Sequence, residues 1–446
     1  MLKLSFYGGA GEVGRNCFLL QDGNDALLLD AGVKLGLREE YPLISDAQIR
    51  SLRRIAISHT HLDHIGFLPF MYRKGCRAKI FATKPTQDMT KLLLEDYLRI
   101  KQDRERRAHH KFPAEKHDFG EKDVAKALKQ FTAVEYGQEV GGGKMRFSFH
   151  NAGHILGSAI TLVRGSKRVL YTADINLRET ILLDPAQKGL AADVLITEAT
   201  YGGKADRIMP VKEAREKLVK SIAVVLKKGG KVLIPSFAVG RGQEIMFILE
   251  TYMRSGALPK VPIYIDGMIL KANRIYRQNV IDCRREIQKR ILIGNDDPFK
   301  SPLFREPSAT KKEVYREGPA IIVTTSGMMS GGPVIDYFKR LAGDPRNKLI
   351  LVGYQAEGTL GRRLLEGERE IGFQEELIRV KIPIENISLS AHADHAQLVE
   401  FARSVKGLKK VFVIHGDGEK TVELAAALRR PGLEVIIPKN GESYNL

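Results

Sequence analysis

The chain has 446 residues, 43% of them hydrophobic, and its 71 Lys and Arg against 53 Asp and Glu leave a formal charge of +18. Single cores stop growing at about 250–300 residues, so this length indicates two domains. The ordinary apolar fraction excludes a disordered chain, and no apolar run reaches the ~20 residues of a membrane span. Cys17, Cys76 and Cys283 lie far apart and form no metal or redox motif. The opening MLKLSFYGGAGEVG lacks the features of a secretion signal, so a reducing cytoplasm is the expected location.

In chain order, short apolar strands alternate with helical patterns, which predicts an α/β architecture. Strands are expected at LKLSFYG, CFLLQD, ALLLDAG, RRIAIS, AKIFAT, RFSFHNAG, AITLVRG, RVLYTAD and DVLITEAT. Many have hairpin spacing, so mixed sheets are expected over the first 200 or so residues. A helical insertion is predicted over 86–133. From about 205 the character changes. VKEAREKLVKSIAVVLKKGG reads as a helix closed by Gly229 and Gly230, and KVLIPSFAVGRGQE as strand, turn and helix start. Alternation continues through KVPIYIDG, AIIVTTSG and KLILVGYQ, as in βαβ units, and near 383 the text returns to short strands, IENISLSAHAD and KKVFVIHGDG. The expected domains are therefore 1–204, an inserted 205–382, and a return segment 383–446.

HTHLDH, residues 59–64, follows the apolar run IAIS and precedes IGFLPF, which places it on a turn at a strand's C-terminal edge. Other His and acidic residues recur at strand ends: Asp30, His154, Asp174, Glu198, His392 and His415. Each stands where sites are built. His109, His110, His117, His150 and His395, taken singly, read as ordinary core or surface residues. Four donors in six positions are different, because they would repel one another as they protonate and gain nothing structurally. His59, His61, Asp63 and His64 are therefore read as metal ligands. Imidazole and carboxylate donors without a coordinating cysteine favour zinc, and the same donor types also suit iron or manganese. Two such ions would clamp a phosphoryl group and supply its nucleophile.

HTHLDH, with LLLDAG before it and AGHILGS, YTADIN and VIHGDG after it, resembles the metallo-β-lactamase superfamily. ITEATYG, PSFAVGRGQE, TTSGMMSGGP, GYQAEGTLGRRL and SAHADH resemble its β-CASP nucleases, and among them the archaeal relatives of the cleavage and polyadenylation specificity factor endonuclease subunit. The resemblance covers nearly the whole chain. It implies an α/β fold, a metallo-β-lactamase αββα sandwich with an inserted α/β β-CASP cap domain, and hydrolysis of RNA phosphodiester bonds by a metal-activated water. It assigns His59, His61 and His154 to one zinc ion and Asp63, His64 and His415 to a second, with Asp174 bridging. Asp63 counts among the catalytic residues, Asp30 orients a ligand histidine, and Glu198 and His392 assist the leaving group. His415 resembles the RNA-cleaving members, since the DNA-repair members usually carry valine there. Ala173 and Ala199 stand where many relatives have Gly and Ser.

Two glycine-rich loops, SFAVGRGQE and SGMMSGGP, let backbone N–H groups approach phosphates, with Ser236, Arg241, Ser326, Gly327, Ser330 and Gly331 as candidate RNA contacts. A plain strand-to-helix turn has the same look. The cationic excess favours a polyanion, although the basic runs at 99–111, 283–290 and 311–318 also fit solvated helix faces laced with ion pairs. The expected partner is single-stranded RNA, with no membrane; a homodimer or an assembly with other RNA-processing proteins is compatible with this. Some archaeal relatives place KH domains ahead of the nuclease, whereas here the first strand is expected at Leu2. Three alternatives stay open: a DNA nuclease, a small-molecule metallohydrolase, and a non-catalytic scaffold. The roles in mRNA 3'-end processing and RNA decay, and the balance of internal cleavage against 5'-to-3' trimming, are not separated.

Overall fold

The computed structural model describes residues 2–36, 39–108, 119–294, 296–373 and 376–446. His109, His110 and His117 lie outside them, as does the end of the basic run at 99–111. The chain forms two compact units: Met1–Arg178, Asp184–Arg207 and His392–Leu446 make one, and Glu179–Leu183 with Ile208–Ala391 the other.

The first unit contains two seven-stranded mixed sheets. One runs, edge to edge, Ser443–Asn445, Leu2–Gly8, Cys17–Asp22, Asp25–Leu29, Arg54–Ala56, Lys79–Ala82 and Phe131–Ala133. The other runs Glu434–Ile436, Lys410–Ile414, Val194–Glu198, Arg168–Tyr171, Ala159–Arg164, Arg146–Asn151 and Glu139–Val140. Their facing sides share a core that includes Leu4, Phe6, Phe18, Leu27, Phe147, Val163, Tyr171, Ile196 and Phe412. The outer face of the first sheet buries Ile55 and Ile80 against Leu68, Met71 and Leu94 of helices. The outer face of the second buries Leu170, Leu195 and Val411 against Leu398, Phe401 and Leu424. Strands covered on both sides read as unbroken apolar runs; Val194–Glu198 is buried at every position. The result is a four-layer αββα sandwich.

The predicted helical insertion contains the helices Lys84–Ala108 and Glu121–Leu128, but its last residues, Phe131–Ala133, extend the first sheet as an edge strand.

The second unit has a six-stranded sheet in the order Phe304–Arg305, Ile263–Asp266, Ala320–Thr324, Lys231–Pro235, Lys348–Leu351, Ile384–Asn386, parallel throughout, and a separate hairpin of Glu370–Phe373 with Glu376–Arg379. Helices such as Val211–Lys227 and Arg241–Arg254 bury Leu218, Ile222, Ile245 and Leu249 against this sheet. Ile384–Asn386 differs from expectation. Taken from sequence to open the return segment, it pairs with Lys348–Leu351 in the second unit, where Ile387 and Leu389 join the core.

The ends of the first unit's strands are held by close backbone approach. Residues 30–33 run beside the HTHLDH turn, with Ala31 N donating to His64 O (2.8 Å), Val33 N to Leu62 O (3.0 Å) and Asn16 N to Asp63 O (2.9 Å). At Gly32 a Cβ would lie 1.7 Å from Asp63 O, so only glycine fits. Replacing it forces the turn away, and overpacking of this kind costs about 1–3 kcal/mol or more. We expect Gly32→Ala to lower the thermal midpoint far more than Gly11→Ala. Gly11 has φ +74° but no neighbour within 4 Å, so its replacement carries only the backbone cost of about 1 kcal/mol. Thermal unfolding of the two variants checks this.

Candidate metal centre

Strand Arg54–Ala56 ends just before Ser58, and the chain turns through His59 and His61 into the short helix Leu62–Ile65. His154 follows strand Arg146–Asn151, with its backbone N–H donating to Ser158 Oγ (3.1 Å). Asp174 follows Arg168–Tyr171, Glu198 closes Val194–Glu198, and His415 follows Lys410–Ile414. Three of the strand-end residues adopt left-handed backbone without being glycine: Asp30 (φ 58°), Ala173 (φ 48°) and His415 (φ 47°). Such conformations persist where the surroundings over-determine them, typically at functional sites. At position 173 this accounts for the usefulness of glycine.

The side chains converge into two groups that share one carboxylate. His59, His61, His154 and Asp174 each bring a donor atom within 4.8 Å of the others, and so do Asp63, His64, Asp174 and His415. In the first group His61 Nδ1 lies 3.1 Å from His59 Nε2 and 3.2 Å from His154 Nε2. Asp174 Oδ2 lies 3.6 Å from His59 Nε2 and 3.7 Å from His154 Nε2. In the second group Asp174 Oδ1 is 3.5 Å from His64 Nε2 and 2.9 Å from His415 Nδ1. Asp63 Oδ2 is 3.8 Å from His64 Nε2 and 3.4 Å from His415 Nε2.

These separations test the fit to zinc. Nitrogen donors bound tetrahedrally at about 2.0–2.1 Å stand about 3.3 Å apart, which the first group approaches without rearrangement. Charge agrees. Burial, with His64 adding to it, pushes His59 far below the usual imidazole range, and burial holds His61 down to about 4 despite Asp63 and Asp174. Both are neutral donors. Burial opposes the charged form of His415 as well, yet Asp174 and then Asp63 raise it to about 10. His64 is driven well above its ordinary value in the same way, by Asp174, Asp63 and Asp30. The carboxylates thus call for cationic charge in the second group. His415 Nε2 is moreover buried without a hydrogen-bond partner among the described residues. Neutral imidazoles, ionised carboxylates and an orphaned ring nitrogen are what a divalent ion of zinc's preferences takes.

Asp30, fully buried, receives His64 Nδ1 at 2.7 Å on Oδ2 and so turns Nε2 toward Asp63 and Asp174. Sequence reading missed three neighbours. Ser58 donates to Asp30 from its backbone N–H (2.8 Å) and hydroxyl (2.7 Å), Tyr171 donates its hydroxyl to Asp30 (2.7 Å), and Asn16 Nδ2 lies 3.1 Å from His64 Nε2 and donates to Asp63 O (3.3 Å). For Ser58 and Tyr171 the signal is nearness to His59 and Asp174 in "ISH" and "YTAD"; Asn16, in "GRNC", has no such neighbour in the text.

Beside the two groups, His392 Nδ1 lies 3.0 and 3.2 Å from the carboxylate oxygens of Glu198, and its ring sits 4.6 Å from that of His154. Glu198 is fully buried and accepts from Ile175 N (2.7 Å). Burial disfavours the imidazolium of His392, but Glu198 outweighs it and raises the pKa. His150 bonds Ser148 and Gln187, and His395 bonds Gly202 O, each outside the donor groups.

The second unit holds the remaining candidates. The buried Ser236 donates its hydroxyl to Phe237 O (3.2 Å), and Ser326 Oγ donates to Gly331 O (3.0 Å) and accepts from Ser330 N (3.0 Å). Gly327 packs against the backbone of Ser236 and Phe237, and Gln355 Nε2 donates to Gly327 O and Gly353 O. Ser236 and Ser326 thus brace their loops, Ser330 is exposed, and Arg241 is buried at the start of its helix. In the basic run at 283–290, Arg284 pairs with Glu179 and Glu286, and Arg290 with Glu250 and Asp296.

Comparison with known proteins agrees with this geometry. Residues 19–198 match the metallo-beta-lactamase superfamily domain, 242–364 the Beta-Casp domain, and 377–438 the Zn-dependent metallo-hydrolase RNA specificity domain. The chain is 37% identical to the transcription termination factor FttA of Methanothermobacter thermautotrophicus, matching 100% of this chain and 72% of that protein. It is 36% identical to the FttA proteins of Methanosarcina mazei (96% and 69%) and Pyrococcus abyssi (100% and 71%). A solved structure of a protein of unknown function from Enterococcus faecalis shares the fold, with a TM-score of 0.58 at 13% identity over the full length of both chains. The chain belongs to the β-CASP family of the metallo-β-lactamase superfamily, zinc-dependent RNA-specific metallo-hydrolases.

Proposed function

We propose that the protein is a two-zinc ribonuclease that hydrolyses single-stranded RNA to 5'-phosphate and 3'-hydroxyl ends, acting in the cytoplasm during RNA 3'-end formation at transcription termination. The observation that carries this reading is the pair of donor groups sharing Asp174, with Glu198 and His392 beside them. Bound zinc supplies Lewis acidity and an activated water. The chain's own residues do the rest. His59, His61 and His154 would hold one ion and Asp63, His64 and His415 the other, with Asp174 available to both. His392, kept protonated by Glu198, donates to the departing 3' oxygen. Ser330, Gly331 and the neighbouring loops of the β-CASP unit offer backbone and hydroxyl donors to RNA phosphates. The relatives named as termination factors support a setting in transcription, with other processing proteins or a second copy as partners.

Elemental analysis of the purified chain should find close to two zinc ions, with His415→Ala losing chiefly one; active protein without transition metal would exclude the proposal. Because water and not the RNA 2'-hydroxyl is the nucleophile, primary products with 2',3'-cyclic phosphate would do so as well.

His392→Ala should retain both ions and bind RNA within a few-fold of the native protein, while chemistry slows by about 10²–10⁴-fold. A substrate with a 3'-bridging sulfur, which leaves without a proton, should recover much of that loss. Shedding of zinc, or no gain with sulfur, would remove the acid role.

With a formal charge of +18, binding should weaken steeply with salt, log affinity falling by about 0.7 per neutralised phosphate for each decade of salt. The inactive Asp63→Ala variant allows the measurement without cleavage, and a flat profile would point to a small neutral substrate.

A further inference from the structure

Tyr171 is 1% exposed, inside the core between the two sheets of the first unit, with Phe18 against its ring in an edge-on arrangement at 5.4 Å. Phenylalanine would fill that space equally well. A hydroxyl in an apolar core is costly unless it is bonded. Here it donates to Asp30 Oδ2 at 2.7 Å.

That bond joins the two sheets. Tyr171 ends a strand of the second sheet, and the same chain reaches Asp174 within one short turn. Asp30 follows strand Asp25–Leu29 of the first sheet, beside the turn that carries His59, His61, Asp63 and His64. Asp30 Oδ2 accepts from three donors at once: Tyr171 Oη, Ser58 Oγ and His64 Nδ1, each at 2.7 Å. Two of them, Ser58 and His64, belong to the turn itself, and only Tyr171 comes from the opposite sheet.

We propose that the Tyr171 hydroxyl is a positioning group for the second metal site: by tying Asp30 to the sheet that carries Asp174, it sets His64 Nε2 at its distance from Asp174 Oδ1. Without the hydroxyl, Asp30 and the His64 ring are referenced to their own sheet alone. The first group is spaced instead through His61, whose Nδ1 lies 3.1 Å from His59 Nε2 and 3.2 Å from His154 Nε2; its link to Asp30 runs indirectly through Ser58 Oγ, 3.1 Å from His59 Nδ1.

The inference rests on the two-zinc reading, and the experiment separates the two. The full chain is stripped, reloaded with zinc and titrated against a competing chelator, as native protein, Tyr171→Phe, Asp30→Asn, His415→Ala and Tyr171→Phe combined with His415→Ala. Native protein that binds no zinc defeats the two-zinc reading. Given two ions in the native protein, Tyr171→Phe should weaken one of them about 10- to 100-fold, the range for loss of an outer partner of a metal-bound histidine. The other ion should be unchanged. In the His415→Ala background, which has already lost the second-site ion, Tyr171→Phe should change nothing further. Cobalt substitution should show the same single-site loss in the visible spectrum. Two ions bound as tightly as in the native chain, or equal weakening of both, would overturn the inference and leave Tyr171 a core residue. If the phenylalanine variant does not fold, Asp30→Asn, which keeps the shape of the partner of His64 Nδ1 and removes its charge, is held to the same single-ion result.

Discussion

Asp174 is a carboxylate that is 2% exposed and surrounded by four imidazoles, and the rest of the site follows from it. A buried negative charge must be met by positive charge or by hydrogen-bond donors. Its Oδ2 faces His59 and His154, and its Oδ1 faces His64 and His415. Each oxygen therefore belongs to a different group of donors, and the two groups stay close because one short side chain is a member of both. Burial raises the pKa of Asp174, but His415 and His64 hold it far below the ordinary carboxylate range. The anion and its histidines specify each other.

Holding five histidines and two aspartates about one point takes two sheets, not one. The first sheet leads to the HTHLDH turn, and the second leads to His154, Asp174, Glu198 and His415. Packing of the apolar faces between them, with Phe6, Phe18, Phe147 and Phe412, sets the spacing of the strands. The last adjustment is polar: Asn16, Ser58 and Tyr171 bond to the site's carboxylate, ring or backbone from behind. Core density gives the sheets their separation, and these buried hydrogen bonds give the donor atoms theirs.

Much of this was legible in the text. The donors are legible because metal chemistry restricts residue types, and because strand ends concentrate them after apolar runs. The change of character near 205 is legible because a parallel sheet with helices has a different rhythm from hairpins. Ile384–Asn386 was misplaced because a three-residue strand carries no signal of which sheet it joins; pairing with Lys348–Leu351 decides it. Ser58, Tyr171 and Asn16 were missed because an outer partner needs only a hydroxyl or an amide, which many positions supply. Ser236 and Ser326 looked like free donors, yet the structure commits their hydroxyls to neighbouring carbonyls. Cationic runs are likewise visible as composition, while the Glu250 and Asp296 that bond Arg290 lie far from it or beyond the run.

The order of the donors along the chain, from residue 59 to residue 415, also sets when the centre can exist during synthesis. While the ribosome is making the chain, the HTHLDH turn emerges early, but the second donor group is incomplete until residue 415 has been added and its strand has paired with Val194–Glu198. A chain made only as far as residue 414 therefore carries the donors of the first group, His59, His61, His154 and Asp174, and lacks one of the second.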